Sequence, residues 1–438
     1  MATGILPLLV AISNQAPLNL VEEAFNNFSA EYMYGDASTR IAGTDVFFDQ
    51  YDFIVIGAGT GGCVMANRLS ENKLWKVLLL EAGKEENFLL SVPLVATLNT
   101  EAGYTWDYQI EPMDTACLGL PNRVCPLPRG KGLGGSTLLN YMIYTRGHQM
   151  DYDELLQAGN YGWSYDDVLP YFEKGEKSYL KISQNPYESS YLDSFYNAME
   201  EIGYRRIDPN DKIQLGYYKL RTTTSNGRRH SASSAYLYPV RNRPNLHISA
   251  KSHVTKILLN PITRLAYGVE FIKNGKLYRI TTKKEVILSA GAISSPQLLM
   301  LSGIGPEEHL ASLSIPVIKS LAVGHNLHDH YIYRKLEFRL SKPVPGESTA
   351  SLFQQYITNG TGPFSLPVRR EAVSYIKTPG SSLPGNYPDI EIFAATSFVN
   401  REDTDVTMRL LGLPNAIRDS DFVYSSGEEK IQFIPFLM

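Results

Sequence analysis

Gly57, Gly59 and Gly62 stand in GxGxxG spacing within YDFIVIGAGTGG, directly after the apolar run Phe53, Ile54, Val55 and Ile56. Glycines so spaced serve a bound diphosphate. The first allows a tight turn, the second lets the backbone approach the anion, and the third lets a helix pack closely on a strand. A helix opening here presents unpaired N–H groups and the positive end of its dipole to negative charge. Thr60 adds a hydroxyl at that end. Glu81 closes a second apolar run, Val77 to Leu80, at the place where a carboxylate holds a ribose hydroxyl, roughly 20 residues past the last glycine. A plain tight turn would need none of this frame, so the expected ligand is a dinucleotide.

Two further segments carry the same message. PRGKGLGGSTLLNYMIYTRG, from Pro128 to Gly147, contains Gly130, Gly132, Gly134 and Gly135, then Ser136, Thr137 and Asn140. So many glycines imply backbone pressed against a ligand. SAGAISSPQLLMLSGIGP, from Ser289 to Pro306, is a second glycine turn that opens a helix, led by Ala290 and Gly291. These two segments, with VGHNLHDH from Val323 to His330, GWSYDDVLPYFEKGE from Gly162 and RRHSASSAYL from Arg228, resemble the signatures of the glucose-methanol-choline (GMC) oxidoreductase family. The resemblance runs from about Tyr51 to the end of the chain. It is strongest toward the insect glucose dehydrogenase and ecdysone oxidase-like branch.

The resemblance implies FAD as cofactor, with Leu133, Gly134, Gly135, Ser136 and Asn140 along it and Val254, in SHVTKI, at its adenine. Family members that bind flavin covalently carry a histidine before the residue matched by Asn140. Leu139 stands there, so non-covalent binding is expected. Family members take the alcohol proton with a histidine in an HxxGT segment, which has no match here, and no histidine follows His330. His325 and His328 occupy variable places of the VGxNLxDH pattern. No catalytic residue is therefore assigned, and a C-terminally truncated member is expected. Two readings stay open: an FAD-dependent oxidoreductase acting on CH–OH groups, with hydride passing to flavin N5, and a non-catalytic flavin-binding or partner-binding remnant.

Around these residues the chain must supply a scaffold. Apolar runs that end in glycine, separated by a helical stretch from Val64 to Leu69, form a βαβ unit with strands buried on both faces. Asn274-Gly275, between Gly268–Lys273 and Lys276–Thr281, predicts a type I′ hairpin, because both turn positions need positive φ. Val286 to Ser289 reads as another buried strand, followed by a helix that Ser294 or Ser295 caps, Pro296 opens and Gly303 closes. Tyr333–Leu340 and Ile390–Ala394 read as strands among Pro/Gly/Ser loops. The expected fold is α/β: an FAD-binding doubly wound parallel sheet with an interleaved α+β substrate domain holding an antiparallel sheet, incomplete at the C-terminus. The expected division is a leader or signal region over 1–48, a flavin domain over 49–330 with a substrate-domain segment at about 160–225, and part of a substrate domain over 331–438.

Composition narrows the partners. The 438 residues hold 41 Lys plus Arg against 45 Asp plus Glu, a balance of −4, so no positive field gathers nucleic acid or an anionic membrane. A small-molecule alcohol is the expected partner, and oligomeric state is not readable. The cysteines show no zinc spacing and no metal site is expected. The apolar run Ile5–Ile12 is about half of what a membrane span needs; as a secretory signal it lacks a basic start. Cys117 and Cys125 bracket LGLPNRV and either close a small disulfide loop or stay as thiols. Asn27 and Asn359 begin Asn-x-Ser/Thr triplets. An extracellular location is expected, since the resembled branch is largely extracellular.

Overall fold

The computed structural model describes residues 41–396 and 430–438, apart from 42, 95, 97–102, 119–120, 211–213, 334–335 and 340–348. The apolar run Ile5–Ile12 and the Asn27 triplet lie outside the described residues. The elements that matter are, in chain order, β1 (Gln50–Ile56), α1 (Thr60–Leu69), β2 (Val77–Leu80), β3 (Thr105–Gln109), β4 (Pro126–Gly130), α2 (Leu192–Glu201) and β5 (Gly216–Lys219). They continue with β6 (Leu246–Ser249), β7 (Ser252–Leu259), β8 (Ala266–Lys273), β9 (Lys276–Leu288) and α3 (Gly291–Leu301). The last are β10 (Tyr331–Ile332), β11 (Leu336–Arg339), β12 (Arg370–Ile376), β13 (Ile390–Thr396) and β14 (Lys430–Leu437).

Two six-stranded sheets carry the architecture among the described residues. The first has the order β6-β2-β1-β9-β8-β7, with β6, β2, β1 and β9 parallel and β8 and β7 antiparallel. Its centre is dry: Ile54, Val55, Val77, Leu78 and Leu79 are fully buried, each stabilising the fold by about 1.5–3 kcal/mol. Strand alternation sends Val55, Val77 and Leu79 to one face, where Cys63 and Ala66 of α1 cover them. Ile54, Leu78 and Leu80 go to the other, beneath Leu298 of α3 and beside Phe271.

The hairpin at Asn274-Gly275 forms as its sequence predicts, with φ of +50° and +73° at the two turn residues. The strand expected over Val286–Ser289 is the far end of β9, not a separate element. One strand of 13 residues pairs antiparallel with β8 over Lys276–Thr281 and parallel with β1 from Thr281 to Leu288. Its end is half-buried where full burial was expected. Residues just ahead of 49 pack on this sheet. Thr44 N donates to Ile248 O at 2.9 Å, and Phe47 meets Phe271 edge-on at 5.3 Å.

The second sheet is antiparallel, in the order β10-β14-β13-β12-β5, with β11 also on β14. Helix α2 covers one face through Leu192, Phe195 and Met199. Tyr218, Tyr375, Phe393 and Ile434 form the opposite face, with Ile143 packed on them.

Candidate functional site

The carboxyl ends of β1, β2 and β9 stop at the same level, and beyond them opens a cleft of about 500 Å³. This is where a parallel sheet with a switch in strand order places its ligand. Ile56, Leu80 and Ser289 mark the three strand ends in its wall. Gly57, Gly59 and Thr60 come from the first turn, Gly135 and Ser136 from the second glycine segment, and Ala290 and Gly291 from the third. Glu81 and Val254 complete the sequence-assigned residues that line it.

The glycines earn their places by contact. A Cβ on Gly62 would lie 1.8 Å from the Gly57 carbonyl oxygen, so α1 approaches β1 only without a side chain there. Gly62 is thus a packing residue and does not line the cleft. A Cβ on Gly135 would stand 2.6 Å from the Gly59 Cα, which brings the first and second glycine segments into backbone contact. Gly134 lies behind that contact and donates its N–H to Ala58 O at 2.8 Å.

Helices α1 and α3 both begin in the cleft wall without a side-chain cap, at Gly59 and Ala290. The expected capping by Ser294 or Ser295 does not occur. The glycine turn starts α3 at Gly291, Pro296 falls inside the helix, and Gly303 with φ of +89° ends it as expected. Ser294 Oγ instead meets Tyr108 Oη at 3.1 Å, pinning the β3–β4 hairpin to α3. Two uncapped helix starts leave N–H donors and positive dipole ends on one cavity.

Glu81 is 6% exposed. Its Oε2 accepts from Ala58 N and its Oε1 from Gly83 N, each at 2.8 Å. Burial pushes its carboxyl above the ordinary range, while those amides and Lys131 pull it back. Each oxygen keeps a lone pair for a hydroxyl donor. Arg129 is the cationic side chain among the lining residues. It stands on β4 opposite Trp106 of β3. Trp106 and His253 face each other in the wall with ring centroids 5.4 Å apart. Burial, with Lys131 nearby, holds the His253 imidazole below its ordinary range.

Leu133 and Asn140 lie elsewhere. Leu133 is 1% exposed and belongs to the core cluster under α1. Asn140 is exposed, past the turn Gly135–Leu138. Its Oδ1 accepts from Arg229 Nη1 at 2.8 Å and from Met142 N at 3.2 Å. Arg229, 5% exposed, also donates Nη1 to the carbonyls of Thr137 and Asn140 and Nε to Leu90 O. Sequence reasoning missed Arg229, Trp106, Arg129 and His253. Arg129 was the most legible, one residue before the glycine run. Cys117 and Cys125 form a disulfide, which closes the tip of the β3–β4 hairpin. Among the described residues no cluster of ligands suited to a metal ion occurs, and no helix is long and apolar enough to cross a membrane.

Residues 51–332 match the family described as GMC oxidoreductase. Over 381 residues the chain is 40% identical to a glucose dehydrogenase [FAD, quinone] of Drosophila pseudoobscura pseudoobscura, covering 82% of this chain and 60% of that protein. It is 41% identical over 306 residues to the mitochondrial choline dehydrogenase of Homo sapiens, covering 64% of this chain and 50% of the relative. The chain thus spans between half and three fifths of these relatives' length. Among solved structures, a formate oxidase matches with a TM-score of 0.72 at 23% identity, over 90% of this chain and 73% of that one. A pyridoxine 4-oxidase matches with a TM-score of 0.70 at 25% identity, over 88% and 71%.

Proposed function

Because this chain belongs to the GMC oxidoreductase family, we propose that it binds FAD non-covalently in the cleft and oxidises the CH–OH group of a small alcohol. One observation carries the reading: two uncapped helix starts, the Arg129 guanidinium and the buried Glu81 carboxylate share one glycine-walled cavity. That donor set fits a diphosphate flanked by a ribose. Glu81 accepts from the ribose hydroxyl, the starts of α1 and α3 with Arg129 face the diphosphate, and Val254 meets the adenine. When bound, FAD supplies a hydride acceptor, the chemistry that alcohol oxidation requires. The chain's part is to hold, orient and shield it. Leu139, which has no nucleophile, keeps the attachment non-covalent. Relatives named for glucose and for choline support a small alcohol as substrate.

The two sheets support a flavin domain over 49–330 and part of a substrate domain over 331–438. Strand β5 joins the second sheet through β12, which supports assigning 160–225 to the substrate side. The Cys117–Cys125 disulfide supports an oxidising, extracellular destination.

Purified chain should be yellow, with a flavin spectrum released by denaturation, and an alcohol substrate should bleach it without oxygen. His253, the histidine in the cleft wall, sits next to Val254, the residue assigned to the adenine end. This favours keeping the second reading, a flavin-binding protein without turnover. Bound flavin that glucose, choline and other alcohols leave yellow would select it. A well-folded, colourless chain that takes up no FAD would refute both.

A further inference from the structure

We propose that Asn359 is an acceptor site for an N-linked oligosaccharide, attached as the chain passes through the secretory pathway. The inference is independent of the flavin cleft and rests on the extracellular destination proposed for the chain. Asn359, Gly360 and Thr361 form an Asn-x-Thr triplet with no proline at its middle place. Short triplets arise by chance, so the position in the fold decides. Asn359 is the last residue of the helix Thr349–Asn359. That helix buries Tyr356 and Ile357 and leaves Gln355, Thr358 and Asn359 to solvent.

Directly after Asn359 the chain turns. Gly360 N donates to Tyr356 O at 2.8 Å, and φ of +67° at Gly360 and +86° at Gly362 takes the backbone through conformations that favour glycine. The turn is anchored on its inner side: a Cβ on Gly360 would stand 2.3 Å from Asn226 O, and one on Gly227 would stand 1.8 Å from Gly360 O. Asn359 therefore sits at the outer end of an anchored base, and Gly360 beside it adds no side chain to crowd a bulky substituent. The other Asn-Gly pairs, Asn226-Gly227 and Asn274-Gly275, are followed by Arg228 and Lys276, so they lack the hydroxyl residue that an acceptor requires. A second observation is independent of the triplet. Cys117 and Cys125 are joined in a disulfide, which forms in the oxidising compartment where such oligosaccharides are also added. In the transfer, Asn359 Nδ2 bonds to the first sugar carbon of an oligosaccharide carried on a lipid diphosphate. The bond from that carbon to the diphosphate oxygen breaks, one Nδ2 proton is lost, and the lipid diphosphate leaves; nothing is oxidised or reduced.

The test is expression of the full chain in insect cells, as it stands and with a cleavable secretory leader placed ahead of Met1, each in an Asn27→Gln background. Peptide-N-glycosidase acting in heavy-oxygen water should raise the electrophoretic mobility of the leader-bearing chain and leave residue 359 as a heavy-oxygen-labelled aspartate, read by peptide mass spectrometry. Asn274, in an Asn-Gly pair without the hydroxyl, reports any spontaneous deamidation. Asn359→Gln and Thr361→Ala should each abolish the mobility shift, whereas Thr361→Ser should keep it. Asn359 lies outside the cleft lining, so flavin content should be the same with and without the sugar. A leader-bearing chain whose residue 359 is unmodified, whether secreted or retained, would overturn the inference, because transfer precedes folding and does not depend on its success. A glycan on the leader-bearing chain beside an unmodified, intracellular chain without the leader would instead remove the extracellular destination and leave the acceptor site standing.

Discussion

Gly135 rests directly on Gly59: a Cβ on the first would stand 2.6 Å from the Cα of the second. The contact joins two segments distant in the chain and sets the width of the cleft between their amides. Glu81 strengthens the joint from below by accepting from Ala58 N, and Gly134 from above by donating to Ala58 O. The diphosphate wall is therefore one unit built from two loops.

Gly135→Ala should break that unit. Its φ is +55°, so the substitution adds strain of about 1–3 kcal/mol to an overpacking cost of similar size. The thermal midpoint should fall and FAD should be lost on gel filtration. Gly275→Ala, at a φ of +73° with nothing within 4 Å of the new Cβ, serves as the control: mild destabilisation with full flavin content.

Glu81→Gln tests the joint from its acid side. The amide keeps the shape but turns an NH₂ toward either Ala58 N or Gly83 N, leaving a buried donor facing a donor. That costs about 1–3 kcal/mol. That cost falls on stability; FAD affinity, measured by fluorescence quenching, should drop by roughly tenfold because the ribose hydroxyl loses a charged acceptor worth about 1.5–3 kcal/mol, 1.4 kcal/mol being a factor of ten.

How much of this was legible depends on the range of the interaction. The βαβ unit and the Asn274-Gly275 hairpin were readable because short-range steric rules determine them. The dual role of β9 was not: whether a strand end pairs with β1 or starts anew depends on a neighbour more than 200 residues earlier. The same holds for Leu133. The family resemblance puts Leu133 along the flavin, whereas the backbone turns its side chain into the core under α1. Trp106 and His253 reach the cleft because the β3–β4 hairpin crosses to α3 and β7, which no local pattern encodes. Ser294 looked like a cap because Pro296 suggests a first helical turn. A glycine turn with positive φ at Gly291 started the helix earlier.

Opening the Cys117–Cys125 link, with both residues changed to serine, should cost about 2–3 kcal/mol by the loop-entropy relation for a short loop. The loss falls on the β3–β4 hairpin, which carries Trp106 and Arg129 in the cleft wall. Flavin dissociation should accelerate and amides of Thr105–Gln109 should exchange faster by mass spectrometry. Unchanged exchange would detach the disulfide from the cleft.

His230 gives the fold a defined acid weakness. Burial, helped by Lys181, pulls its imidazole down to about 4, and Nδ1 accepts from Lys181 N at 3.2 Å. The folded state thus prefers the neutral ring, whereas the unfolded chain takes a proton near 6.5. The stability this group contributes is complete above the unfolded value and is lost as pH falls from about 6.5 toward 4, by at most about 3 kcal/mol. Carboxylates elsewhere titrate in part of the same window, so the measurement is a difference. Urea midpoints of the wild type and His230→Asn, taken from pH 7.5 to 4.5, should converge as the pH falls, because asparagine keeps an acceptor but cannot charge. Parallel curves would show that the His230 ring is protonated as readily folded as unfolded.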